Sequence, residues 1–166
     1  MSGAGVHGAP GAESGQSVKD ALQQTLDEAR MVLPGVQALF GFQLIAVFSD
    51  RFERRLSEAE QSLHLAAIVL VTIAIALVMT PAAYHRQVEP RRATVSFLVL
   101  ASRLVSGAML PLAAGLSIDV YLIARVITGA PALAAAIGAA VLLLFVALWF
   151  AFPQWRAAQL RRQRRR

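Results

Sequence analysis

Arg103 stands eight residues into an apolar run, 95–118, "VSFLVLASRLVSGAMLPLAAGLSI". At helical rise that is a depth of about 12 Å. An arginine at the centre of a bilayer costs about 2.5–3.5 kcal/mol on insertion scales, so its guanidinium must meet a partner or run its stem back to the interface. A second run offers the partner. In "DEARMVLPGVQALFGFQ", 27–43, the charges Asp27, Glu28 and Arg30 stand at the mouth, Gln37 lies just inside and Gln43 follows six residues later. Glu28 or Asp27 is the expected acid for Arg103, with lone snorkelling as the alternative. Gln37 is close enough to the entrance to join them, whereas Gln43 points to a different face. Amides of this kind join helices in lipid at about 0.6–2 kcal/mol each. His85 and Arg86 follow the apolar run 63–83 in "PAAYHRQ". A histidine there could relay protons near neutral pH, but contact with a lipid phosphate is the reading favoured. His64 is isolated near the other end of the same run, and His7 lies in the leader. The expected polar cluster is Glu28, Arg30, Gln37, His85, Arg86 and Arg103. Its chemistry is charge pairing between helices, or binding of a lipid head group or an anion.

Covalent catalysis lacks its usual residues. There is no cysteine, so a thiol nucleophile, a disulfide and a Cys-ligated metal are all excluded. No H-E-x-x-H, G-x-S-x-G or phosphate-cradling glycine loop occurs. The sequence therefore predicts a non-enzymatic protein with no catalytic residue, no cofactor and no metal.

Apolar helices must position the cluster. Of 166 residues, 57% are hydrophobic and 16% charged, against about 45–50% and about 25% in soluble domains. The mean hydropathy is +0.57. The excess is gathered into four runs, about 31–49, 63–83, 95–118 and 131–152. Each can cross a hydrocarbon core of about 30 Å as a helix, the first with tilt or thinning. The expected fold is all-α: an integral membrane four-helix bundle over 31–152, preceded by a short amphipathic helix over 17–30 that lies at the interface. Residues 1–16 read as a disordered leader and 153–166 as a basic tail. The apolar connection "DVYLIARVITGA" reads as a re-entrant or interfacial piece. Pro111, four residues after Gly107, predicts a bend, and Ala134 with Gly138 forms a small-xxx-small pair for close packing.

An even number of spans puts both termini on one side. Eleven of the 16 bases fall there and four on the other side, leaving Arg103 within a span. The positive-inside rule makes that side cytoplasmic. The tail arginines Arg161, Arg162, Arg164, Arg165 and Arg166 follow directly on a span. Such a run is worth about 1 kcal/mol per base against anionic lipid, so lipid head groups rather than nucleic acid are its expected partner.

Several of these residues also fall into a pattern. Glu28 and Arg30 precede Leu33-Pro34-Gly35 and Gln37. Phe42, Phe48 and Phe52 follow. Pro81-Ala82-Ala83-Tyr84-His85-Arg86 ends the second run, and Ala101 with Arg103 lies in the third. Over about 18–150 the chain resembles DUF6328, bacterial four-span membrane proteins of uncharacterised activity. In similar proteins the residue before Arg103 is often Asn; here it is Ser102, which removes an amide from that position. Some relatives carry a sodium–proton antiporter label, which fits poorly with a chain whose apolar runs hold no deep acidic residue. The outer halves of the runs also show few polar residues. Together these readings predict a small inner-membrane protein acting as a structural or interaction module. Its partners are lipid and its anionic head groups, with a second copy or another membrane protein as a further partner. The alternative is an oligomeric proton- or cation-linked transporter or channel.

Overall fold

The computed structural model describes residues 10–88 and 94–163. Every described element is helical: α1 (Pro10–Ala46), α2 (Asp50–Arg55), α3 (Glu58–Val88), α4 (Val95–Thr128), α5 (Pro131–Val146), a π-helical turn (Ala147–Ala151) and α6 (Phe152–Gln163). The fold is all-α, as the apolar runs require. Three helices are long and apolar enough to cross a membrane: α3, α4, and α5 continued through α6. They mark the chain as a membrane protein. The apolar part of α1, Arg30–Ala46, is shorter.

The helices run past several boundaries read from the sequence: α1 begins at Pro10, inside the leader expected to be disordered, α3 begins at Glu58, and α6 carries the last helix to Gln163. The amphipathic helix and the first apolar run form one continuous helix, with Pro34 inside it. Pro34 is exposed. Its missing N–H removes one helical hydrogen bond, and the helix continues through it and Gly35 without a break. The connection expected to be interfacial or re-entrant is instead the last three turns of α4. No Gly or Pro interrupts the chain between Gly115 and Gly129. In lipid an unbroken helix is the way such a segment satisfies its own backbone. The helix ends at Gly129, which takes the left-handed conformation at φ 68° and donates its N–H to the Arg125 carbonyl. Pro131 then opens α5, the usual asymmetry of glycine after a helix and proline at the start of the next.

Neighbouring helices run antiparallel and pack through small residues. A Cβ on Gly115 of α4 would stand 3.0 Å from Val71 Cγ2 and 3.2 Å from the Ala67 carbonyl oxygen on α3. At the other end of the same pair, Tyr84 and His85 stack on Phe97 with ring centres 5.4 and 5.5 Å apart. On α5, Ala134 and Gly138 are both buried. A Cβ on Gly138 would come within 2.9 Å of Tyr121 Cβ and 3.1 Å of the Ser117 carbonyl. The α4–α5 crossing therefore leaves no room for a side chain at that point. α1 packs mainly on α3. Its C-terminal end, the start of α3 and the last turns of α4 therefore meet at the end of the bundle remote from the termini.

Candidate functional site

Three buried polar side chains meet at that remote end, one from each of three helices. Gln43 of α1 is 3% exposed, His64 of α3 is 6% and Asp119 of α4 is 8%. The Gln43 amide Nε2 donates to Asp119 Oδ2 at 2.6 Å. His64 Nε2 lies 2.9 Å from the Gln43 backbone carbonyl. A carbonyl oxygen only accepts, so the ring hydrogen of that contact sits on Nε2. His64 Nδ1 then faces Asp119 Oδ1 at 3.6 Å. The two atoms face each other across a gap longer than a hydrogen bond. Phe52 of α2 covers the imidazole edge-on, with ring centres 5.0 Å apart. The Gln43 side-chain oxygen, Oε1, is buried with no hydrogen-bond partner in the protein.

A second pair lies one turn nearer the surface. Glu60, four residues before His64 and so on the same face of α3, accepts from the Tyr121 hydroxyl at 3.2 Å through Oε1 and forms an ion pair with Arg125, whose Nε lies 2.9 Å from the same oxygen without hydrogen-bond alignment. Its other oxygen accepts from the Ser57 backbone N–H at 2.8 Å and the Ser57 hydroxyl at 2.9 Å. The Ser57 hydroxyl in turn lies 3.3 Å from the Glu60 N–H. This reciprocal Ser-x-x-Glu box starts α3. Glu60 thus caps its own helix and ties it to α4 through one carboxylate. Arg125 Nη1 also donates to the Gly129 carbonyl at 2.8 Å, which holds the turn into α5.

A family model for a family of unknown function, DUF6328, matches residues 13–153. The chain belongs to this family. No curated protein and no solved structure matches it. The DUF6328 match spans Gln43, Glu60, His64, Asp119, Tyr121 and Arg125, and ends before the tail arginines.

The structure distributes the sequence-expected cluster differently. Arg30 is exposed and lies 3.8 Å from Asp27, one turn away on α1. Gln37, Arg86 and Arg103 are exposed. His85 is half-buried against Phe97. Among the described residues, no hydrogen bond or ion pair joins any two of Arg30, Gln37, His85, Arg86 and Arg103. The Glu28 side chain, and with it the expected Glu28–Arg103 pair, lies outside the described residues. Of the tail, Arg161 and Arg162 are exposed at the end of α6, and Arg164, Arg165 and Arg166 lie outside the described residues.

Two expectations are corrected. An acidic residue does lie buried in an apolar helix, namely Asp119. The helix halves remote from the termini are also not poor in polar groups, since Gln43, His64, Asp119, Glu60, Tyr121 and Arg125 all collect there. Ending the third run at Ile118 turned Asp119, Tyr121 and Arg125 into loop residues, and starting the second at Leu63 did the same to Glu60. The readable signal was a lone Asp between apolar neighbours in "LSIDVYLIARVIT", since an ionisable group in such a setting seeks a named partner.

Proposed function

We propose that the protein is a four-span protein of the bacterial inner membrane that works by binding rather than by catalysis. The observation that supports this reading is the one-sided distribution of buried polarity. Toward the remote end, Gln43, His64 and Asp119 tie α1, α3 and α4 together. Below them the α3–α4 interior is apolar, built from Ala67, Val71, Ala74, Ala101, Ala108 and Phe97. Among the described residues the fully buried polar side chains thus gather at one end, while the other end holds one buried ring nitrogen, on the half-buried His85. In this reading α1 is the fourth span. Its apolar part would cover about 25 Å at helical rise, which a slight thinning of the bilayer accommodates. The exposed arginines of α6 follow the last span, where they would take anionic lipid head groups.

The excess of bases beside the termini favours cytoplasmic ends. The chain has no cysteine, so single introduced cysteines report topology directly. Arg54→Cys, on the exposed face of α2, is expected to react with a membrane-impermeant maleimide added to intact spheroplasts. Gln163→Cys is expected to react only after permeabilisation. The opposite pattern would invert the orientation.

One observation favours the transporter reading: a buried His64 and a buried Asp119 face each other at 3.6 Å where three helices meet. Reconstitution with a trapped pH-sensitive dye separates the two. The binding reading expects no protein-dependent proton flux down an imposed gradient. A flux that Asp119→Asn abolishes would replace it with proton-linked transport.

A further inference from the structure

A cavity of about 310 Å³ lies between the end of α1, the short helix α2 and the last turns of α4. It is about twice the ~150 Å³ that holds benzene in an apolar protein interior. Gln43, His64 and Asp119 line its buried end and are turned on one another: Gln43 Nε2 donates to Asp119, and His64 Nε2 donates to the Gln43 carbonyl. Apart from Ser49, the rest of the lining is apolar, so the cavity takes hydrocarbon. Its exposed lining residues show where it opens. Phe42 on α1 and Ile123 and Ile127 on α4 line it and are exposed. All three stand in apolar stretches read as membrane spans. The mouth between α1 and α4 therefore opens onto the acyl chains of the bilayer rather than onto water.

The helix that closes the cavity also carries charge. Phe52 of α2 and Leu56, which ends it, line the cavity, while Arg54 and Arg55 between them are exposed. Among the described residues neither arginine forms an ion pair. A guanidinium fork matches phosphate. Asp50, which opens α2, and Glu58, which opens α3, are exposed too. The charges described at this rim are thus two bases and two acids. A head group carrying both signs complements them better than one with a net negative charge.

We propose that this cavity holds one acyl chain of a zwitterionic phospholipid whose phosphate is bound by Arg54 and Arg55. The site lies at the end of the bundle remote from the α6 arginines. It rests on the reading of α1 as a span, which has its own test: Asp20→Cys should share the maleimide-labelling pattern of Gln163→Cys.

Lipid retention in native mass spectrometry tests the proposal with the full chain. The protein is equilibrated in detergent with equal amounts of dioleoyl phosphatidylethanolamine, dioleoylglycerol and dioleoyl phosphatidylglycerol. Only lipid displaced by Ala46→Phe is counted, which sets aside anything held by the α6 arginines. That variant fills the cavity from α1 and should melt close to the parent. Val126→Phe, which fills it from α4, takes its place if the first does not fold. One phosphatidylethanolamine per chain is expected. Dioleoylglycerol, with the same chains and no phosphate, should be retained about tenfold less, and phosphatidylglycerol less than phosphatidylethanolamine. Arg54→Gln/Arg55→Gln should lower phosphatidylethanolamine retention about tenfold, with a melting temperature in lipid-free detergent close to the parent's. Unchanged retention by a folded cavity-filling variant, equal retention of dioleoylglycerol, a preference for phosphatidylglycerol, or undiminished retention by the double arginine variant would each overturn the proposal.

Discussion

Asp119→Ala is expected to destabilise the folded protein by about 2–5 kcal/mol, since it leaves two buried groups unsatisfied at about 1–3 kcal/mol each. The loss is concentrated because Asp119 serves two helices through two oxygens. Oδ2 takes the Gln43 amide at 2.6 Å and Oδ1 faces His64 Nδ1 at 3.6 Å. Alanine strands a buried donor on α1 and a buried ring nitrogen on α3. Asp119→Asn retains an acceptor for Gln43 and offers a donor to a neutral His64, so its cost should be smaller. Replacing all three groups together, with Gln43→Leu, His64→Phe and Asp119→Leu, should recover much of the loss, because no polar atom of the set is then left unpaired. Thermal unfolding in one detergent, followed by circular dichroism, orders the four proteins: parent most stable, Asn next, the triple variant above the single alanine. An alanine variant that melts with the parent would show that Asp119 is not holding the helices.

The helices themselves were legible because lipid imposes one solution on a long apolar run. Gly138, in its small-xxx-small pair, marked the close crossing of α4 and α5 for the same reason: where backbones touch, only a residue without a side chain fits. The site was harder to read because its residues sit at the ends of runs rather than in their middles. Apolarity alone starts the second run at Leu63, one residue before His64, and so leaves Glu60 in a loop. The Ser57–Glu60 capping box starts the same helix at Glu58 and puts Glu60 and His64 on one face. Gln43 was read as an amide joining helices, and it does so; its partner was hidden because Asp119 had been assigned to a connection. The expected cluster at the other end followed from Arg103, the most conspicuous charge in any run. In the structure Arg103 is exposed on α4, a position that costs little when a long stem can reach the interface.

Arg125→Met is expected to destabilise the protein by about 1.5–3 kcal/mol, the range for a hydrogen bond to a charged group. The effect should be smaller than that of Asp119→Ala because the pair is less enclosed: the Arg125 and Glu60 side chains are 25% and 12% exposed. Arg125 links three places, through Nε to Glu60 at 2.9 Å and through Nη1 to the Gly129 carbonyl at 2.8 Å. Methionine keeps the length and apolar stem and removes only the fork. Glu60→Gln tests the other side. It keeps one oxygen, enough for the Ser57 cap, and loses the charge opposite Arg125 and the second acceptor that Tyr121 uses. If the ion pair carries the contact, each single change lowers the melting temperature. The double variant Glu60→Gln/Arg125→Met then costs clearly less than the sum, since the second change has no pair left to break. Strict additivity would assign the two effects separately, Glu60 to capping α3 and Arg125 to the Gly129 turn. The salt dependence distinguishes the same cases from another direction. A partly exposed ion pair weakens between low and high ionic strength, so the gap between parent and Arg125→Met should narrow as salt is added, while a gap that comes only from the turn carbonyl should change far less.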